Sequence, residues 1–219
     1  MKTKLKLSKV KIIRQREISP GVFVLSFIRP WDFTAGQVVG LAGSETDEAR
    51  LYSLASGELD EEVDILYNIN PDGKLTPWMA QLNTADTLWV SEPFGSFTGN
   101  GDPAWWIASG TGIAPFISMF RTGLFKNKKI IHGGRDLQSF YFHELIEPVL
   151  KEDYIRCSSR EKAPDIYHGR ITQYLKEHPS LPTNEKYYLC GSAEMVVDAR
   201  DILIEKGIPF NNIIAEIYF

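Results

Sequence analysis

The sequence predicts a two-domain protein: an antiparallel β-barrel over residues 1–100, then an α/β domain built on a doubly wound parallel sheet over residues 101–219. Three observations lead there. From Leu5 to about Val90, short β-type runs are broken by turn residues. After the polar, glycine-rich stretch Gly99-Asn-Gly-Asp-Pro103 the rhythm changes to apolar runs alternating with helical segments, the pattern of strands joined by crossover helices. A chain of 219 residues is also long enough to bury two cores.

In the first half the runs Val22–Phe27, Gln37–Leu41, Val63–Tyr67 and Thr87–Val90 are expected as strands. One helix is expected after Pro71-Asp-Gly-Lys74, because Leu75, Met79 and Leu82 recur at helical spacing with Pro77 near the start. In the second half the expected strands are 104–109, 129–132, 154–158, 186–190 and 213–217. The helices expected between them are 114–121, 140–150, 170–177 and 193–206. In such an open sheet ligands sit beyond the carboxyl ends of the strands.

Composition narrows the function classes. The net charge of −4 argues against general nucleic-acid binding, and no apolar run approaches the roughly 18 residues that a membrane span needs. The segment from Met1 to Arg16 lacks the apolar core of a secretory signal, and the only cysteines are Cys157 and Cys190, so the expectation is a cytoplasmic monomer with no membrane insertion. Two cysteines do not furnish an iron–sulfur ligand set, which directs attention to organic cofactors and predicts no metal site. Lys2, Lys4, Lys6, Lys9, Lys11, Arg14 and Arg16 form a wholly basic run; it reads first as the solvent side of an opening strand, and second as a docking face for an acidic protein.

Several short motifs carry chemistry. Arg50-Leu-Tyr-Ser53 puts a guanidinium, an aromatic ring and a hydroxyl on one strand: groups able to bind a diphosphate bidentately, stack on an isoalloxazine and hydrogen-bond a ring nitrogen. Taken alone it equally describes a strand alternating between surface and core. Gly73-Lys74-Leu75-Thr76 opens the expected helix and offers N–H groups and a hydroxyl to a phosphate oxygen, or simply a turn and cap. Gly110-Thr111-Gly112-Ile-Ala-Pro115 follows an apolar strand and precedes an apolar helix, the place of a dinucleotide-binding loop, although its spacing is not Gly-x-Gly-x-x-Gly. Cys190-Gly191-Ser192 closes another expected parallel strand, and Glu216-Ile-Tyr218-Phe219 ends the chain on two aromatics.

Taken in this order, the five motifs resemble the ferredoxin/flavodoxin–NADP(+) reductase family, bacterial type, across essentially the whole chain. The resemblance implies a flavoenzyme that uses FAD and NADP(H) and passes electrons between NADP(H) and ferredoxin or flavodoxin. It further implies that Arg50 and Thr76 hold the FAD diphosphate, with Leu51, Gly73, Lys74 and Leu75 beside them. Tyr52 stacks on the flavin, Ser53 faces N5, and Tyr67, Asn68 and Thr111 make further FAD contacts. Gly110, Thr111, Gly112, Cys190 and Gly191 are implied to meet the nicotinamide nucleotide, and Arg135, Ser159, Arg160 and Arg170 the 2′-phosphate, for which fixed guanidinium charge is suited. Ser53, Cys190, Glu216 and Tyr218 are the implied catalytic set, with Tyr218 and Phe219 returning to the flavin and Tyr218 moving aside for the nicotinamide. Other acceptors, such as free flavin, ferric chelates or an oxygenase, remain alternatives, as does a non-catalytic electron-transfer subunit.

Overall fold

Alternation shapes the opening strand. In the computed structural model, which describes residues 5–218 and Tyr218 by its backbone alone, β1 (Leu7–Ser19) buries Leu7 and Ile12 while Lys9, Lys11, Arg14 and Arg16 face solvent. From Lys9 to Arg16 the basic row is therefore the exposed side of this strand, Lys2 and Lys4 lying outside the described residues; Lys9 lies over the Trp89 ring at 5.6 Å and Arg14 pairs with Glu62 at 2.5 Å.

Five further strands complete the first sheet: β2 (Val22–Ile28), β3 (Val38–Ala42), β4 (Arg50–Ser53), β5 (Glu62–Asn68) and β6 (Thr87–Ser91). All pair antiparallel, in the order β4-β3-β6-β1-β2-β5, and a bridge between Leu54 and Ile65 joins the two edges of the row. That contact turns the sheet into a barrel and removes the exposed edges that invite mispairing. Leu25, Phe27, Leu41, Leu54, Ile65 and Met79 fill the interior. The short helix α1 (Leu75–Met79) closes one end, where the Gln15 amide donates to the carbonyls of Met79 and Leu82, both at 3.0 Å.

The second sheet is wholly parallel. Its strands, β7 (Ala104–Ser109), β8 (Lys128–Gly134), β9 (Tyr154–Ser158), β10 (Tyr167–His168), β11 (Lys186–Ser192) and β12 (Ile213–Tyr218), lie in the order β10-β9-β8-β7-β11-β12. The chain steps outward from β7 through β8, β9 and β10, then returns to the other side of β7 for β11 and β12. The strand order thus reverses between β7 and β11. The crossovers carry α2 (Ala114–Arg121), α3 (His143–Leu150), α4 (Ile171–Glu177) and α5 (Ala193–Glu205).

Three features depart from the sequence expectation. The helix expected from Phe140 starts only at His143, because Leu137–Ser139 forms a 3-10 turn and Phe142 takes a left-handed backbone with φ of 61°. The two-residue strand β10 is additional. The chain forms two compact units, one reaching Gly99 and the other starting at Asn100, but Ala114–Thr122 belongs with the barrel. The reason is a buried polar joint: Ser118 Oγ donates to the Ser56 carbonyl at 2.6 Å, and Arg121 pairs with the carboxylate of Asp64 at 2.8 Å. Among the described residues no helix is long and apolar enough to cross a membrane.

Candidate functional site

On the barrel, β4 runs antiparallel to β3 with Ser53 opposite Val38 and Tyr52 opposite Val39. Arg50 and Leu51 are exposed, Tyr52 is half-buried against the barrel core and Ser53 is buried. Exposure of an arginine and a leucine side by side on a short strand suits a ligand with charged and apolar parts. The only acidic neighbour paired with Arg50 among the described residues is Glu48 at 3.9 Å, and both are about two-thirds exposed, so the guanidinium is weakly engaged. Burial pushes the Tyr52 phenol up to about 12 against the pull of Arg50. Burial likewise raises Tyr67, helped by the nearby Tyr52 phenol. Both rings therefore stay protonated at neutral pH. Tyr67 stacks on Phe23 with centroids 5.6 Å apart and donates its hydroxyl to Gln15 at 3.1 Å, while Asn68 is exposed.

The turn before α1 is tied by Thr76, whose Oγ1 accepts the Asn70 N–H at 2.8 Å and so keeps its own proton to donate. Thr76 is the second residue of the helix rather than its cap; Lys74 stands at the cap position and is exposed. Gly73 N donates to the Asn70 carbonyl at 3.0 Å, closing the turn. Arg50, Tyr52 and Thr76 are thus a cation, a flat ring and a hydroxyl donor on one barrel, groups that fit a flavin dinucleotide.

On the parallel sheet, the loop after β7 and the end of β11 interlock through glycines. A Cβ on Gly112 would lie 2.6 Å from the Cys190 carbonyl carbon and 2.7 Å from Gly191 Cα. A Cβ on Gly191, whose φ is +147°, would collide with the Ser109 side chain and stand 3.0 Å from the Ser109 carbonyl oxygen. Ser109 Oγ accepts the Ser192 N–H at 3.3 Å, a tie between strand ends that the motifs alone did not reveal. Gly110 takes a φ of +54° at the start of the 3-10 turn Gly110–Ile113, and Thr111 is half-buried beside it. Gly112 and Gly191, both buried, thus let the loop pack directly on the end of β11 where the strand order reverses, the place where open α/β sheets bind ligands. Cys190 belongs to the same strand end, but its side chain is fully buried. Glu216 is half-buried on β12 opposite Cys190 in register, and Ser192 pairs with Tyr218. The Tyr218 side chain and Phe219 lie outside the described residues.

The three arginines leave connected backbone. Arg160 N donates to the Arg135 carbonyl at 2.9 Å, Ser159 N to the Gly134 carbonyl at 3.2 Å, and Gly169 N to the Ser158 carbonyl at 2.8 Å, one residue before Arg170. Arg135, Ser159, Arg160 and Arg170 are all exposed, at the carboxyl ends of β8, β9 and β10. Sequence reasoning missed what stands behind this edge. His132, fully buried on β8, binds the Tyr154 hydroxyl through Nδ1 at 3.0 Å, while its Nε2 makes no hydrogen bond among the described residues. Only the placement of a lone histidine inside an apolar strand signalled it.

An antiparallel barrel with a cation–ring–hydroxyl strand, followed by a parallel sheet with a glycine cradle at its reversal point, defines a two-domain nucleotide-dependent oxidoreductase. Residues 106–201 match the family model of the oxidoreductase NAD-binding domain. The chain is similar to the flavodoxin/ferredoxin–NADP reductase of Escherichia coli (strain K12), 30% identical over 216 residues that cover 87% of each protein. It is 27% identical to the reductase component of propane 2-monooxygenase from Mycolicibacterium smegmatis; that match covers 90% of this chain but spans 60% of the relative's length. In fold it resembles the ferredoxin NADP+ reductase from Neisseria gonorrhoeae, solved with bound FAD and NADP, at a TM-score of 0.89, 22% identity, and 98% and 99% coverage of the two chains. The chain belongs to the flavodoxin/ferredoxin–NADP reductase family.

Proposed function

We propose that this chain is a FAD-dependent reductase that moves electrons between NADP(H) and a ferredoxin or flavodoxin. The observation that carries the reading is the place of the Gly110–Ile113 loop at the sheet's reversal point, where open α/β sheets bind nucleotides, held there by the packing of the buried Gly112 on Cys190 and Gly191. The names of the related proteins, among them a ferredoxin NADP+ reductase with FAD and NADP bound, support the cofactor pair.

Bound FAD would supply the conversion between a two-electron hydride, exchanged at its N5, and single electrons delivered to a protein carrier. The chain's own groups have the remaining tasks. Arg50 and Thr76 bind diphosphate oxygens through a fixed charge and a hydroxyl proton, while Leu51, Gly73, Lys74 and Leu75 flank them. Tyr52 gives a face for ring stacking, Tyr67 and Asn68 contribute hydrogen-bonding groups, and Ser53 holds a hydrogen bond at N5. Gly110, Thr111 and Gly112 meet the nucleotide with Cys190 and Gly191, and Arg135, Ser159, Arg160 and Arg170 bind the 2′-phosphate. Glu216 relays a proton; Tyr218, whose side chain lies outside the described residues, is assigned to the nicotinamide-facing side of the flavin, and Phe219, also outside them, to the side toward the FAD adenine. A monomer in the cytoplasm, where Cys157 and Cys190 stay free thiols, completes the proposal.

The likeness to an oxygenase reductase component favours one second reading, an oxygenase as acceptor. Carrier-dependent turnover separates the two. With NADPH as donor, ferredoxin or flavodoxin added at micromolar concentration should raise NADPH oxidation well above the rate with an oxygenase component or with free FMN in its place. Equal rates with every acceptor would reject the carrier assignment.

A further inference from the structure

Arg170 and Glu194 join the first turns of two helices. Arg170 caps α4, Glu194 lies in the first turn of α5, and Nη1 stands 3.0 Å from Oε1 with both side chains 72% exposed. Both helices begin at the carboxyl ends of their preceding strands, and the positive end of α5 favours a carboxylate at Glu194. The other two arginines of this edge differ: neither Arg135 nor Arg160 has an ion-pair partner among the described residues. The acids beside them are engaged in the loops, Asp136 with the Ser139 hydroxyl at 2.8 Å and Glu161 with the Leu137 N–H at 3.0 Å. Glu194 is the acid that occupies a guanidinium group.

We propose that Glu194 is a specificity-determining residue that weakens the preference for NADP(H) over NAD(H), an inference that rests on assigning Arg170 to the 2′-phosphate. A phosphate dianion must displace Glu194 from Arg170 and then stand beside the released carboxylate. A ribose without phosphate leaves the pair intact and meets a carboxylate able to accept a hydroxyl proton. Glu194 therefore opposes one nucleotide and tolerates the other. Because both side chains lie in water, the effect is about threefold to fivefold rather than orders of magnitude.

The test is calorimetric titration of the flavin-loaded full chain with adenosine 2′,5′-bisphosphate and, separately, with AMP, which reads binding independently of turnover. Glu194→Gln should tighten the bisphosphate by about threefold to fivefold at low salt and leave AMP within about twofold, the gain shrinking as salt is raised. In an Arg170→Gln background the gain should shrink, because no ion pair is left to break and only the repulsion from the Glu194 carboxylate remains to be relieved. No change for either ligand, or the same change for both, overturns the role of Glu194. If Arg170→Gln alone leaves bisphosphate affinity intact, the assignment of Arg170 to the phosphate fails first and the inference with it. If Arg170→Gln weakens the bisphosphate but Glu194→Gln does nothing, the inference alone fails. Absence of bisphosphate binding to the native chain overturns both.

Discussion

Gly112 is packed so tightly onto Cys190 that the loop after β7 and the end of β11 meet backbone to backbone over a buried contact surface: a Cβ at Gly112 would stand 2.6 Å from the Cys190 carbonyl carbon. The obstacle is backbone, so it cannot swing away as a side-chain tip would. Gly112→Ala should therefore push the loop off β11. The expected cost is about 1–3 kcal/mol of stability and at least tenfold in NADPH affinity, read by thermal unfolding and by nucleotide titration. Unchanged nucleotide affinity would remove this surface from the binding site.

Ser53 is buried at the end of β4, and its proposed work is a single hydrogen bond at the flavin N5. Ser53→Ala should retain FAD yet slow flavin reduction by NADPH about 10- to 100-fold, the kinetic equivalent of one charge-assisted hydrogen bond. Anaerobic single-turnover absorbance measures the rate, and FAD content after gel filtration measures retention. Loss of FAD with a normal rate in the reloaded protein would make Ser53 a binding residue instead.

Arg121 holds α2 on the barrel through Asp64, whose carboxylate also accepts the Ser26 hydroxyl at 2.6 Å. Asp64 is buried, and without Arg121 its charge keeps only the longer pair with Arg14 at 3.8 Å and the Ser26 hydroxyl. Arg121→Leu should destabilise the protein by about 1–3 kcal/mol, measured by urea unfolding. A change below about 0.5 kcal/mol would show that the joint behaves as a surface ion pair.

His132 gives the fold a pH dependence of defined sign. Burial pushes its imidazole down to about 3, with the charged states of His143 and Arg156 adding and the Gly110 backbone opposing, against 6.5 for the free group. The unfolded chain takes up this proton first. The stability carried by neutral His132 is therefore fully present above pH 6.5 and is lost as pH falls from there toward about 3. Within that window the slope is about 1.4 kcal/mol per pH unit. His132→Gln should abolish this component, seen as a shallower fall in urea-unfolding free energy between about pH 7 and about pH 5 than in the native chain. Identical slopes would mean that the histidine is accessible to protons in the folded state.

Much of this architecture was legible because local pattern and tertiary role agree. The apolar run at 104–109, the glycine turn and the apolar helix after it announce a strand, loop and helix whatever surrounds them, and they stand at β7, Gly110–Ile113 and α2. The illegible parts depend on partners distant in sequence. The two-residue β10 is too short to show a period. The start of α3 is set by Phe142 in a left-handed conformation that a bulky residue rarely adopts. α2 groups with the barrel because Ser118 and Arg121 find Ser56 and Asp64, about sixty residues earlier in the chain, and because Phe116 packs edge-on against Phe97 at 5.7 Å. The candidate site divides in the same way: its motifs name the groups that would touch ligands, but Ser109 on Ser192, Tyr154 behind His132 and Glu194 on Arg170 emerge only when strand ends are brought side by side.

The proposed function requires FAD on the barrel and NADPH, held by the second unit, as its reductant. It is tested most directly by mixing the purified protein anaerobically with NADPH and, separately, with NADH while following the flavin absorption band. The expected result is a yellow protein bleached faster by NADPH than by NADH, with that advantage reduced about tenfold when Arg135 and Arg160 are both changed to Gln, through loss of charge-assisted hydrogen bonds to a phosphate. A protein without a flavin band, or one that neither nucleotide bleaches, would contradict it.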